Sequence, residues 1–138
     1  MAMSIRNQLP GTVAAVTLGE VMATVKVRLA HGGELTAAVT VEGVKDLGLQ
    51  PGTPVRALVK STEVALATGP VAGLSIRNQL PGTVTEVVTG GAMAGVKVAV
   101  DDGELTAAIT ADAATDLGLA AGTPVLALIK STEISLAV

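Results

Sequence analysis

Three short clusters of hydrogen-bond donors recur along this chain, and none of them contains a base placed to activate a nucleophile. The first is Ser4-Ile5-Arg6-Asn7, which offers a hydroxyl, a guanidinium and an amide, with Ser4 and Arg6 on one side of an extended segment. The second is Thr40, at the N-cap position of a short helix whose first N–H groups point outward. The third is Lys60-Ser61, at the end of an apolar strand, where an ammonium, hydroxyls and backbone N–H groups come together. Each has a twin: Ser75-Ile76-Arg77-Asn78, Thr110 and Lys130-Ser131. Donors without a base suit the capture of a small oxyanion. Hydrogen bonds to charged groups contribute about 1.5–3 kcal/mol each. Micromolar binding needs about −8 kcal/mol, so one Lys, one Arg and several neutral donors suffice.

Each cluster has a plainer reading. Arg6 or Arg77 could pair with Glu63 or Glu133, Lys60 and Lys130 could be solvated strand ends, and Thr40 and Thr110 could be helix caps alone. Lys26 and Lys97 fit a polar strand face, and His31 fits an exposed turn. Catalytic signatures are missing: there is no G-x-x-x-x-G-K-[ST], G-x-S-x-G or H-E-x-x-H. The Gly-rich stretch Gly90–Gly95 has no Gly-rich counterpart in Gly19–Thr24, so it reads as a turn and not a phosphate cradle.

The twins belong to a tandem duplication. Ser4–Val13 returns letter for letter at Ser75–Val84, GELTAAVT returns as GELTAAIT, and LVKSTEV returns as LIKSTEI. Matching 4–29 with 75–100 and 34–66 with 104–136 gives 38 identities in 59 positions, far beyond chance similarity. A Gly- and Pro-rich linker within Ala67–Leu74 separates the copies. The units are therefore 1–68 and 75–138, with 69–74 between them. Arg6/Arg77, Lys26/Lys97 and Lys60/Lys130 are matched cations. Arg28, Lys45 and Arg56 stand opposite Ala99, Thr115 and Leu126.

Each unit reads as mostly strand, at Gly11–Thr17, Ala23–Leu29, Leu35–Val41, Pro54–Lys60 and Glu63–Ala67 in the first. Helices are expected over Glu42–Leu47 and Asp112–Leu117, each stopped by a following glycine. The pattern predicts an all-β chain: two tandem OB-like Greek-key β-barrels, each with one short helix. Units of about 65 residues are marginal alone, so each should bury surface against its tandem partner or against other copies.

Composition narrows the function further. The 138 residues are 49% apolar and 15% charged, which is the balance of a folded chain. With no Phe, Tyr or Trp there is no platform for stacking single-stranded nucleic acid. A net charge of −3 disfavours a duplex-binding surface. Without cysteine, and with His31 as the one histidine, no thiolate or multi-histidine metal site can form. No segment reads as a signal peptide or membrane span, so a cytoplasmic location is expected.

The S-x-R-N-Q-L-x-G opening, the L-x-A-x-[VI]-T strand, the L-G-L turn and the [VI]-K-[SA] strand resemble Mop domains. These are the molybdate-binding units of molbindins, molybdate-responsive regulators and molybdate-importer ATPases. Two such units resemble a tandem, di-Mop molbindin, and the resemblance covers nearly the whole chain. It implies cytoplasmic molybdate storage or homeostasis without catalysis or a catalytic cofactor, and tungstate binding is carried with it. It further implies a homo-trimer with anions held between domains and subunits, no free metal cation, and no nucleic-acid or membrane partner. The family's oxyanion donors fall on Ser4, Arg6, Asn7, Thr40, Lys60 and Ser61, and on Ser75, Arg77, Asn78, Thr110, Lys130 and Ser131. The chain departs from some relatives at Gly43 and Ala113, where those have serine, and at Ile5 and Ile76, where alanine is commoner. The alternative reading is an oxyanion-sensing structural or regulatory interaction module.

Overall fold

A computed structural model describes residues 2–138; Met1, where the first unit begins, lies outside the described residues. The first unit runs β1 (Asn7–Leu18), β2 (Met22–Leu29), β3 (Glu34–Thr40), α1 (Val41–Leu47) and β4 (Pro54–Val59). A 3₁₀ turn over Ser61–Glu63 and β5 (Ala65–Ala67) follow. The second unit repeats this as β6 (Asn78–Thr89), β7 (Met93–Val100), β8 (Gly103–Thr110), α2 (Ala111–Asp116) and β9 (Pro124–Ile129). Its own 3₁₀ turn, Ser131–Glu133, leads to β10 (Ser135–Ala137).

Two curled, antiparallel five-stranded sheets result, ordered β10-β4-β1-β2-β3 and β5-β9-β6-β7-β8. The last strand of each unit has crossed into the other's sheet. Ser135 to Ala137 pair with Leu58 to Arg56, and Ala65 to Ala67 pair with Leu128 to Leu126. The sequence reading made Glu63–Ala67 a fifth strand of its own unit. Instead Glu63 ends a 3₁₀ turn, which carries the chain across the seam before β5 begins.

The long first strand works because it changes partner midway. Asn7 to Thr12 pair with β4, whereas Gly11 to Leu18 pair with β2. Pro10 therefore falls where β1 has a neighbour on one side only, as the missing proline N–H requires. A bulge between Val13 and Ala15 bends the strand from one pairing to the other. At the crossover a side chain on Gly11 would meet the Arg28 carbonyl oxygen at 2.6 Å; Gly82 meets Ala99 in the same way.

In β2 the residues Ala23, Val25, Val27 and Leu29 are buried and alternate with exposed Met22, Thr24, Lys26 and Arg28. That period of two marks a sheet with one wet face. The core does not stop at the unit boundary. Val25, Val27, Leu35 and Val59 form one apolar cluster with Leu105, Ala107, Ile129 and Ile134. Each unit thus buries surface against its tandem partner, the need that its small size had indicated.

Candidate functional site

The Ser-x-Arg-Asn segments enter the sheets as the lead-in to β1 and β6. Arg6 folds back on its own segment, donating Nε–H to the Ser4 carbonyl at 3.1 Å and Nη2–H to that of Met3 at 2.7 Å. Arg77 repeats this with Ser75 at 3.2 Å and Leu74 at 2.9 Å. Neither pairs with a glutamate: among the described residues the ion pair formed is Lys97 to Glu86 at 3.7 Å. The rest of each guanidinium fork keeps its donors.

Asn7 and Asn78 do something else. Both are buried, and each side chain mimics a peptide group across the seam. Asn7 donates to the Thr106 carbonyl at 2.9 Å and accepts from the Thr106 N–H at 2.7 Å. Asn78 does the same to Thr36, at 2.9 and 2.8 Å, and donates its second hydrogen to Ile129 at 3.0 Å. The Asn78 amide has no hydrogen left for an anion. No feature of Thr36 or Thr106 in the sequence announced them as partners, since peptide groups carry no residue signature.

Thr40 and Thr110 are helix caps. Their hydroxyl oxygens accept from the N–H of Gly43 at 3.0 Å and of Ala113 at 3.1 Å. The first helical N–H groups, Val41 and Ala111, are also taken, by the carbonyls of Val21 and Ala92 at 2.8 Å each. What remains at each helix start is the threonine O–H and the N–H of Glu42 or Asp112, a smaller donor set than the sequence suggested. The cleft at Thr40, about 440 Å³, is lined also by Glu20, Glu42, Lys45 and Asp46.

Lys60 and Lys130 lie exposed at the ends of β4 and β9 and lead into the 3₁₀ turns. The Ser61 hydroxyl is buried without a hydrogen-bond partner. A buried polar group left unpaired costs about 1–3 kcal/mol, so this hydroxyl is free to serve a ligand.

The seam brings stations of different units together. The turn carrying Ser61 packs on β8, and the turn carrying Ser131 packs on β3. Asn7 reaches β8 as well, and Asn78 reaches β3. A cleft of about 310 Å³ lies along this seam, lined by Thr62, Glu63, Ile76, Ile109, Lys130 and Glu133 among others. Thr62 adjoins Ser61, Ile76 lies between Ser75 and Arg77, Ile109 adjoins Thr110, and Lys130 is itself one of the donors. The cleft thus draws on both units. It holds one ammonium, from Lys130, and two carboxylates, from Glu63 and Glu133. Among the described residues there is no group of three or more Asp, Glu or His able to hold a metal ion, and no helix is long and apolar enough to cross a membrane.

The family model for the TOBE domain matches residues 3–66 and 74–136. The chain is 39% identical over 139 residues to the molybdenum transport protein ModE of Azotobacter vinelandii, covering 100% of this chain and 52% of that one. It is 40% identical over 141 residues to the molybdenum-pterin-binding protein MopA of Rhodobacter capsulatus, covering 99% and 52%. The chain therefore spans about half the length of these relatives. The fold matches a crystal structure of the cytoplasmic molybdate-binding protein ModG in a form with molybdate bound. The TM-score is 0.97 at 40% identity, covering 100% of this chain and 99% of that one.

Proposed function

The chain belongs to the TOBE-domain family, and from that premise we propose that it binds and stores molybdate, and also tungstate, in the cytoplasm without catalysing a reaction. The observation that carries this reading is the exchanged seam, which sets the Lys60-Ser61 turn of one unit against the strand that leads to Thr110 in the other. The unpartnered Ser61 hydroxyl sits there. Ser4, Arg6, Asn7, Thr40, Lys60 and Ser61, with Ser75, Arg77, Thr110, Lys130 and Ser131, supply N–H and O–H groups, which suit a tetrahedral dianion; the Asn78 amide is spent on the seam. The molybdate bound to ModG, on so similar a fold, supports the choice of anion.

The sites are completed by association, in a homo-trimer. Leu18, Val21 and Met22 are exposed apolar residues at the β1–β2 hairpin tip, and Val21 lines the Thr40 cleft. Val88 and Met93 repeat the pattern at the second tip. A neighbouring chain that covers these tips brings its own donors to the threonine stations and offsets the local carboxylates. The units 1–68 and 75–138 then act as paired donor sets joined by 69–74, without nucleic acid or membrane as partner.

Calorimetric titration of the dialysed protein with molybdate tests this, with sulfate and phosphate as competitors. The expected outcome is more than one anion per chain, undisturbed by excess sulfate, with a melting temperature that rises with ligand. Absence of heat, with no molybdenum retained on dialysis, would replace storage with the interaction-module reading.

A further inference from the structure

The duplicated donor stations conceal a difference in field. Residues 1–68 carry six cations and five carboxylates, whereas residues 75–138 carry three and seven, for net charges of +1 and −4. Much of the difference lies on the outer faces of the two sheets. Three matched positions differ there, Ala15/Glu86, Arg28/Ala99 and Arg56/Leu126, and each makes the first unit more positive by one charge. The strand register places them together. Ala15 pairs with Lys26, Arg28 with Thr12, and Arg56 with Pro10. In the second sheet Glu86 pairs with Lys97 and neutralises it at 3.7 Å.

The outer face of the first sheet consequently carries Lys26, Arg28 and Arg56 against Glu34, whereas the second carries Lys97 against Glu86 and Glu104. Among the described residues no carboxylate lies within ion-pair distance of the first face's three cations. Gln8 accepts a hydrogen bond from Arg56 Nη1 at 2.9 Å and holds that guanidinium in place. A cleft of about 410 Å³ lies beside Arg28.

We propose that this face is an electrostatic collector for small divalent oxyanions, loading the first unit's stations faster than the second's. The inference rests on the molybdate reading above. The short-range donor residues are of the same types in both units, although the Asn78 amide is fully engaged, and none of them is altered by a change on the outer faces. Arg56 precedes Lys60 by four residues along an extended strand, roughly 13 Å. That is too far for a hydrogen bond, yet well inside the screening length of about 30 Å at 0.01 M salt. A field acting at such range raises the rate of encounter and leaves the rate of escape to the contacts.

The sister sheet supplies the test variants. In one, Ala15→Glu, Arg28→Ala and Arg56→Leu give the first face the second's residues. In the other, Glu86→Ala, Ala99→Arg and Leu126→Arg do the reverse. Every new side chain already occupies the matched position on the same fold. Without Trp or Tyr for fluorescence, uptake of isotope-labelled molybdate is followed by rapid filtration, and release by chase with unlabelled anion. At about 10 mM ionic strength the first variant should take up molybdate about three- to tenfold more slowly, and the second faster by a similar factor. Release rates should match the unmodified protein, and all differences should vanish by about 0.5 M salt. Equal uptake by all three proteins at low salt would overturn the proposal, as would a difference that persists at high salt. Failure of the unmodified protein to take up molybdate at any salt concentration would instead remove the binding reading, and the collector with it.

Discussion

Asn7 and Asn78 occupy matched places at the starts of β1 and β6, yet the seam they hold is not symmetric. Asn78 ties Thr36 with two hydrogen bonds and adds a third to Ile129, whereas Asn7 makes the two bonds to Thr106. A second asymmetry lies at the hairpin turns, where the Asp102 carboxylate accepts from the backbone N–H of His31 and lies against Gly33. The first unit's turn, His31-Gly32-Gly33, has no carboxylate with which to return the contact. The donor stations and the crossover glycines are the same in both copies. The turns and outer faces have diverged. Residue types are kept at the donor stations and the crossover; at the turns and outer faces, charge has become unequal.

The sharpest way to break this comparison is to separate the units. A fragment of residues 2–68 leaves β4 without β10 and β5 without β9. It also divides the shared apolar cluster. The fragment is expected to be largely unfolded as a monomer and to regain β structure only when two copies exchange β5. Sedimentation and circular dichroism over a concentration series would show this. A folded, monomeric fragment would mean that the exchanged strand is dispensable.

Next in size is the asparagine clamp. Asn78→Ala orphans the Thr36 peptide group and loses the bond to Ile129, and should cost about 3 kcal/mol; Asn7→Ala should cost about 2 kcal/mol. Calorimetric melting of both variants would rank them. The reverse order would show that the extra bond to Ile129 contributes nothing.

Much of this was legible in the chain itself. Alternating Val25, Val27 and Leu29 gave the strand period, and Thr40 and Gly48 gave the helix its two ends. The helix spans Val41–Leu47, one residue longer than read, and Gly48 closes it at φ +63°. The exchange of β5 and β10 was not legible, because Ala-Leu-Ala and Ser-Leu-Ala pair equally well with either sheet. Strand pairing is a long-range choice, made here by where the 3₁₀ turn aims the chain. The clusters of donor residue types could be read from the sequence. Their division of labour could not: an asparagine in a sequence does not say whether its amide faces a ligand or a neighbouring peptide.

The smallest effect separates the capping role of Thr40 and Thr110 from the anion contact proposed for them. Each hydroxyl oxygen caps a helix, at 3.0 and 3.1 Å, while its hydrogen stays available to a ligand. Replacement by alanine removes both functions and should cost about 1 kcal/mol of stability in either unit. Asparagine caps as well as threonine does, but it presents an amide where the hydroxyl donor was. Thr40→Asn and Thr110→Asn should therefore melt within about 0.5 kcal/mol of the unmodified protein while binding molybdate more weakly. Serine keeps the oxygen and its hydrogen and should preserve both properties. If alanine binds molybdate as tightly as serine, the threonine is a cap alone, and the anion is held by the Lys-Ser turn and the arginine segment without it.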